Sequence, residues 1–437
     1  MLSEKLKRRL FCVFYLAIIL WLTPLCIFWS LVFWLFGRKK YEENLLPGHL
    51  RRRILITGDT ATKAVHIIRA LGKAGHTVII ADWVGPWSVL RWSRYVSKVY
   101  SVSSNQTEYV QQVINIGVHE KVDYFIPVIK KDYAMADARI GEYLTQQNIK
   151  CLVSNPTQIK QLDEKIDFMR KCKEYGLSVP EFVDSEEKLY SMASDGYFQD
   201  RFFFFKPSAC SSVFRNSFER IPADLTQIKN FMKSFRDEIF FAQEYIHGTE
   251  LSANLLSKDG EIVQLNLAHS SPIQVDYDVI QHPKITKWVT DFCRKTNLTG
   301  AVCFDFIEDK MGDIYCLECN PRFHSSLVNY IDTKSFERSL LSLFEETQIH
   351  FSKPLQPNPN IFTYWFYQEF FRMLTLKRNM MDFFKILVFG YEALWDSSDP
   401  IPYIVYHHAQ IPVSLMKHIL TGEYWECVNF CLGRVMY

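Results

Sequence analysis

The chain lacks charge of one sign. Its 50 Lys and Arg against 48 Asp and Glu leave a net charge of +2 over 437 residues. Neither lysine nor arginine gathers into a continuous internal stripe, so nothing marks a nucleic-acid partner. Internal repeats and low-complexity segments are also missing. There is no cysteine framework either: the 11 cysteines are odd in number and scattered, which fits the cytosol and argues against a disulfide scaffold. The C-x-x-C at Cys316 and Cys319 has no second pair to complete a zinc site, and a strand sends the two side chains to opposite faces, so they read as packing residues. Gly58, Gly72 and Gly75 do not form a G-x-G-x-x-G fingerprint, and Asp82 alone after the second strand is weak. Hydrophobic residues are abundant: 48% against 22% charged excludes a disordered chain and suffices for two or three domains with a real core.

Residues 11–37, FCVFYLAIILWLTPLCIFWSLVFWLFG, are long and apolar enough to span a bilayer with tilt. They lack the short apolar core and small-residue cleavage site of a signal peptide. Lys5, Lys7, Arg8 and Arg9 precede the run and Arg38, Lys39 and Lys40 follow it. The positive-inside rule favours both clusters in the cytosol. A re-entrant hairpin bent near Pro24 would satisfy both, whereas a single span would leave one outside. Residues 1–50 therefore read as a membrane anchor, with the lipid bilayer as a partner and the rest of the chain facing the cytosol.

RRRILITGDTATKAVHIIRALGKAGHTVIIADW reads as strand, loop, helix and strand, the start of a parallel α/β unit, and VDYFIPVIKKDYAMADARIGEYL supplies another strand and helix. Residues 51–155 form this Rossmann-like unit, with a boundary near Asn155-Pro156. From about Pro354 the chain is rich in Phe, Tyr and Trp. IFTYWFYQEFFRMLTLKRNMMDFFKILVFGYEALW carries helical apolar faces with Arg372, Lys377, Arg378 and Lys385, suited either to a membrane interface or to a helical cover. Residues 346–437 are expected to be this helical region. Asn105-Gln-Thr and Asn297-Leu-Thr match glycosylation acceptors but are ordinary surface residues in a cytosolic domain.

The chemistry concentrates in AVCFDFIEDKMGDIYCLECNPRFHSS, residues 301–326. Two alternating apolar runs flank Lys310-Met311-Gly312, as in a β-hairpin. A four-residue loop would set Asp305 opposite Cys316, with Glu318 and Asn320 on the same face. Three hard oxygen ligands then converge, a set suited to Mg²⁺ or Mn²⁺ completed by phosphates and water. Arg322 adds a fixed cation for phosphoryl oxygens.

These residues resemble the ATP-grasp superfamily, whose closing motif is an acidic residue on one strand and Glu-x-Asn-x-Arg on the next. The resemblance implies an α/β and α+β architecture, with the Rossmann-like unit as the pre-ATP-grasp domain and residues 156–345 as the ATP-grasp domain. It assigns ATP phosphates to Lys165, in the helical pattern QIKQLDEKIDFMRKCKEYG that ends at Gly176, and to Lys206, which ends the strand pattern RFFFFKP. IFFAQEYIHGTEL looks like the hinge strand. There, main-chain groups near Glu244 and Ile246 would read the adenine edge, Gln243 would accept from its amino group through the amide oxygen, and Glu250 would bond the ribose. The loop PSACSSVFR departs from the pattern in having no glycine; Ser208, Ser211, Ser212 and Arg215 stand in for backbone donors.

The region from AHSSPIQVDYDVIQHPK to the metal motif, and the closing HHAQIPVSLMKHILTGEYWECVNFCLGRV, are similar to the mycosporine-glycine synthase family. That likeness implies activation of an enolic oxygen of 4-deoxygadusol by ATP and displacement of phosphate by glycine. Cys210 and Ser211 stand where a tyrosine and an acidic residue are expected. Lys165, Lys206, Arg322 and the metal would serve phosphoryl transfer. His324 or a carboxylate would take the amine proton, or His324 would be a buried residue bonded to backbone. Ser270, Ser271, Gln274, Tyr277 and Arg215 are substrate candidates, the first four otherwise forming a surface turn. Two further readings stay open: a carboxylate-amine ligase forming an acyl phosphate and then an amide, and a non-catalytic, membrane-bound nucleotide sensor.

Overall fold

A computed structural model describes residues 4–37, 45–58, 62–83, 88–128, 131–199, 201–208, 219–221, 224–234, 240–270, 278–344, 353–422 and 425. The apolar run forms one helix, α1 (Glu4–Gly37), which continues through Pro24. The two-armed hairpin is therefore not formed. Proline removes one i to i−4 bond, yet side-chain contacts on both sides of it hold the helix in line. Cys12, Tyr15 and Ile19 are buried before it, and Thr23 and Cys26 contact His408 and Tyr367.

Next comes a parallel α/β unit. Strands β1 (Arg53–Gly58), β2 (Thr77–Asp82), β3 (Val96–Ser101), β4 (Tyr124–Pro127) and β5 (Lys150–Cys151) lie in the order β3-β2-β1-β4-β5, every neighbour pair parallel. The two-residue period of a strand explains its two cores. Ile54 and Ile56 face the cluster that includes Val65 and Ile68 of α2 (Thr62–Lys73). Leu55 faces the cluster with Val113 of α3 (Gln106–His119) and Ile140 of α4 (Ala134–Gln146). Asn105 caps α3, accepting from Thr107 N and Glu108 N, a structural use for that motif.

The helical pattern expected up to Gly176 is two helices, α5 (Pro156–Asp163) and α6 (Lys165–Glu174), because Glu164 takes an extended backbone, ψ 113°. The break makes Lys165 the first residue of α6. After it come β6 (Phe182–Val183), α7 (Glu186–Ser194), β7 (Phe203–Pro207), β8 (Glu219–Arg220), α8 (Leu225–Ser234) and β9 (Phe240–Glu244). These strands form an antiparallel sheet of order β6-β9-β7-β8. A second antiparallel sheet, β11-β10-β12-β13, uses β10 (Gly248–Lys258), β11 (Glu261–His269), β12 (Gly300–Asp309) and β13 (Ile314–Asn320). Beneath it lies α9 (Pro283–Thr296), where Trp288 and Phe292 meet Phe304 at 5.4 and 5.2 Å between ring centroids. Burying each such ring is worth roughly 1.5–3 kcal/mol. Asn297, at φ 49°, is the left-handed C-cap of α9.

Beyond α10 (Thr333–Ser342) the aromatic region is not one long helix. A parallel bridge between β14 (Thr363–Tyr364) and β15 (Tyr391–Glu392) brackets α11 (Phe366–Leu374) and α12 (Met380–Phe389). Then α13 (Ile401–Val405), a π-helical turn (Tyr406–Gln410) and α14 (Ile411–Thr421) run on without interruption. Tyr367 and Phe371 of α11 are buried, and its Glu369, fully enclosed, accepts from Arg372 at 3.0 Å and Arg378 at 2.8 Å. Arg69 of α2 ties this region to the α/β unit, donating to Asp399 Oδ2 at 3.0 Å and to Leu394 O at 2.6 Å.

Candidate functional site

The two antiparallel sheets face each other across a cavity of about 740 Å³, within the range of ligand pockets. Its floor is the β12–β13 hairpin, whose register departs from the expected one. Asp309 N bonds Asp313 O, so the connection is three residues, with Gly312 in the left-handed region at φ +77° as such turns require. Phe306 therefore pairs with Cys316, and a β-bulge at Leu317 makes Asp305 pair with Glu318 and Cys303 with Asn320. The extra residue changes which side chains share a face. Cys316 and Cys319 both enter the core behind the sheet rather than opposite faces, while Leu317 and Glu318 both line the cavity.

Asp305, Glu318 and Asn320 are thus brought together. Asn320 Nδ2 donates to Asp305 Oδ2 at 3.1 Å and to Glu318 Oε1 at 3.2 Å. Its own Oδ1 is buried with no hydrogen-bond partner among the described residues. Lys165 Nζ stands 3.5 Å from Glu318 Oε2. Two adjacent carboxylates and an amide oxygen fit a hard divalent cation that takes its remaining ligands from phosphate and water. Among the described residues no group of three His, Cys, Asp or Glu side chains could enclose an ion unaided.

The opposite wall is the β6-β9-β7-β8 sheet. Buried Lys206 extends from β7, and burial pushes its ammonium down to about 8; nearby Lys165 acts in the same sense, while Glu318, Asp305 and Glu250 oppose it. Such a group gains from a polyphosphate. On β9, Gln243 is fully enclosed: its Nε2 donates to Met169 Sδ at 3.7 Å, and its Oε1 lacks a partner among the described residues. The acceptor expected at the adenine amino group is therefore available. Glu244 side-chain Oε1 accepts from Arg201 at 2.6 Å, and Ile246 lies just past the end of β9, both on the cavity wall. At the mouth, Gly248 approaches β12 so closely that a Cβ would sit 2.0 Å from Glu308 O, a position only glycine can fill. Glu250 lies on the rim, and its carbonyl accepts from Ser270 N at 2.9 Å.

Arg322 lines the same cavity and His324 adjoins it. His324 is committed locally: its Nδ1 accepts from Ser326 N at 3.2 Å as the cap of a 3₁₀ turn. Burial lowers its pKa to about 3, with Arg322 and Lys63 adding to the effect. Its geometry is that of a cap rather than a free base. Ser208 lies beside the start of α6, its carbonyl accepting from Lys165 N at 3.4 Å. Cys210, Ser211, Ser212, Arg215, Ser271, Gln274 and Tyr277 lie outside the described residues. Sequence reasoning missed Phe204, Tyr245, Arg220, Ser252 and Leu317, which also line the cavity. Phe204 packs beside Lys206 and Tyr245, and the run RFFFFKP was the available signal for it.

No curated protein sequence matches this chain. The family model described as ATP-grasp domain matches residues 162–326. Among solved structures, N5-carboxyaminoimidazole synthetase from Staphylococcus aureus complexed with ADP aligns at 15% identity over 69% of this chain and 78% of that one, with a TM-score of 0.51. The biotin carboxylase domain of the Hydrogenobacter thermophilus 2-oxoglutarate carboxylase, in complex with MgADP, ADP and bicarbonate, aligns at 12% over 69% and 71%, TM-score 0.53. Biotin carboxylase from Campylobacter jejuni aligns at 15% over 67% and 71%, TM-score 0.51. At such identities the likeness is one of fold. The first of these structures holds ADP and the second MgADP, and residues 162–326 of this chain match the ATP-grasp domain model.

Proposed function

We propose that the protein is an ATP-dependent C–N ligase that activates an enol or carboxylate oxygen by phosphoryl transfer and couples the activated carbon to an amine. The observation that carries this reading is the pairing, across one cavity, of Lys165 and Lys206 with the Asp305, Glu318 and Asn320 cluster. The cations fit a polyphosphate and the oxygens fit its divalent cation. Gln243 Oε1 and the main chain near Glu244 and Ile246 would hold adenine, and Glu250 would hold the ribose. Arg322 would steady the phosphoryl group in transfer.

In this reading the acceptor oxygen attacks the γ-phosphorus and ADP leaves. The amine nitrogen then attacks the activated carbon, and phosphate departs carrying the former acceptor oxygen. Asp305, Glu318 and Asn320 would hold Mg²⁺, which when bound neutralises charge on the phosphates. The amine proton would pass to a carboxylate or solvent, since His324 Nδ1 is occupied by its cap.

The preferred substrates are 4-deoxygadusol and glycine, on the resemblance of the segments around residues 268–326 and 407–435. An ordinary carboxylate with an amine is the second reading, and the two share every nucleotide residue above. The protein would work at a membrane with its site facing the cytosol. The test is ATP-dependent phosphate release by detergent-purified protein, screened with 4-deoxygadusol and carboxylic acids, each with and without glycine and other amines. Release requiring 4-deoxygadusol and an amine, with the coupled mass observed, supports the preferred substrates. Release with an ordinary acid assigns the carboxylate class. ATP binding without release from any pair favours a substrate outside the screen or a nucleotide sensor.

A further inference from the structure

α1 has two unlike faces. Along one, Cys12, Tyr15, Ile19, Thr23, Cys26 and Ser30 recur every three to four residues and face the protein. At 1.5 Å per residue this stripe runs about 27 Å, nearly the thickness of a bilayer's hydrocarbon core. Its partners are specific. Tyr15 meets Phe371 edge-on at 4.4 Å, and Arg9 donates to Leu420 O at 2.9 Å. Thr23 Oγ1 bonds His408 Nδ1 at 2.8 Å and itself donates to Ile19 O at 2.8 Å. Tyr367 Oη lies 3.4 Å from His408 Nε2 and 3.7 Å from Cys26 Sγ. A His408 with its proton on Nδ1 satisfies every member of this chain of bonds.

The elements under α1 are themselves built into the α/β unit. Gln410 accepts from Val89 N at 3.2 Å, and Cys12, Tyr15 and Ile19 share one continuous core with Ile54 and Ile56 of β1. A spanning helix is surrounded by lipid or by other spanning elements. If α1 crossed a bilayer, it would carry α11, the π-helical turn and α14 to the same depth, together with the Glu369, Arg372 and Arg378 cluster. Charges at that depth are costly.

The other face of α1 is bare among the described residues, with Trp21 78% exposed and Leu35 63%. It does not end at α1. Leu420 of α14 is 78% exposed, and on α12 Phe389 is 78% and Val388 71% exposed. A largely buried seam of rings packs α12 to α1 through α11: Phe14 to Phe371 at 6.4 Å, Phe371 to Phe370 at 5.9 Å, and Phe370 to Phe383 at 6.1 Å. Large exposed apolar surfaces mark an interaction site. Here they are helix faces accompanied by exposed basic residues, Lys5, Lys7 and Arg8 on α1 and Lys385 on α12, the last 4.0 Å from Asp382. That combination of flat apolar helices and basic residues suits lipid with anionic headgroups.

We propose that the outward faces of α1, α12 and α14 form one platform that seats the protein in a single leaflet of an anionic bilayer, with α1 lying along the membrane and not crossing it. This rests on the membrane association proposed above, and it replaces a one-helix tether with a surface built from both ends of the chain.

The test uses the full chain with an N-terminal epitope, added from outside to sealed phosphatidylcholine vesicles with and without phosphatidylserine. The protein is expected to float with the anionic vesicles, its epitope cleaved by external protease on the same side as the ATP-grasp domain. Trp21→Glu, and separately the pair Phe384→Glu and Phe389→Glu, should each lower flotation roughly tenfold or more. Phe384→Leu with Phe389→Leu should float normally, and a thermal shift on adding ATP verifies that each variant is folded. Flotation with a protected epitope means that α1 crosses, and overturns the proposal while leaving membrane association intact. Loss of flotation by Trp21→Glu alone overturns the shared platform. Failure of the parent protein to float, with a stable dimer in sedimentation, assigns the face to a second copy and rejects membrane association as well.

Discussion

Asp305 and Glu318 stand directly opposite each other across β12 and β13, two carboxylates in register at the floor of one cavity. Like charges placed so are mutually destabilising, and the arrangement persists because Asn320 bridges both and Lys165 lies 3.5 Å from Glu318.

Asp305→Asn keeps the shape and removes one charge. Without nucleotide, its thermal midpoint should rise, reflecting relief of roughly 0.5–1 kcal/mol. The further rise that wild type shows with ATP and Mg²⁺ should be lost, and turnover should fall roughly 100-fold or more. Thermal shift with and without ATP and Mg²⁺, alongside phosphate release, checks both. A variant that keeps the Mg²⁺-dependent rise would remove Asp305 from the cation site.

Gln243 offers a separate test of the nucleotide assignment. Its buried Oε1 has no partner among the described residues, a cost that a ligand donor would recover. Gln243→Met matches its length and removes that oxygen. It is expected to leave the ligand-free protein as stable or slightly more so, and to weaken ATP binding about tenfold, the worth of one good hydrogen bond. Isothermal titration with ATP decides: unchanged affinity would place the adenine elsewhere.

The sequence made some of this legible and hid the rest for definable reasons. The apolar run within Arg53–Gly58 reads as a strand, and the structure has it at the centre of the parallel sheet, buried on both faces. The metal cluster could be read as a set but not in its pairing, because a two-residue period assumes no inserted residue. The bulge at Leu317 breaks that assumption and turns Cys316 and Cys319 into one core. The buried stripe of α1 is invisible to hydropathy, since the whole run is apolar. Its signal was the spacing of the small or polar members, Thr23, Cys26 and Ser30, at three and four residues. His324 reads in sequence as a base or as a buried residue bonded to backbone, and the structure puts Ser326 N on its Nδ1.

Acid should destabilise the protein earlier than its carboxylates alone would dictate. Burial drives His66 to about 3, helped by the charges of Arg69 and Lys73 and opposed by its hydrogen bond to the Tyr330 backbone and by Asp396. Burial and the neighbouring His407 drive His408 to about 3. Between pH 6.5 and about 3 the unfolded chain therefore binds more protons at these residues than the folded one. Stability is lost as pH falls below 6.5, by up to about 1.4 kcal/mol per pH unit for each histidine. Melting curves between pH 7 and 4 should slope accordingly, and His408→Gln should flatten the slope. An identical slope in that variant would show that His408 titrates normally.

Arg69 and Asp399 test whether the aromatic C-terminal region is part of the fold's core or a separate appendage. Asp399 Oδ2 accepts from Arg69 Nε at 3.0 Å and from Ser93 Oγ at 2.8 Å, and its Oδ1 accepts from Arg94 N at 2.9 Å. Both side chains are enclosed. Removing one partner of such a pair leaves a buried charge uncompensated, at a cost of roughly 3–5 kcal/mol, whereas removing both costs much less. Asp399→Ala should therefore lower the unfolding midpoint sharply, while Asp399→Ala with Arg69→Met should recover a large part of the loss. If α11 to α14 are integral to the core shared with the α/β unit, calorimetry will show one transition shifting as a whole in both variants. Two separated transitions, only one of them moved, would make the C-terminal helices an independent unit. The platform would then have to be sought on α1 alone.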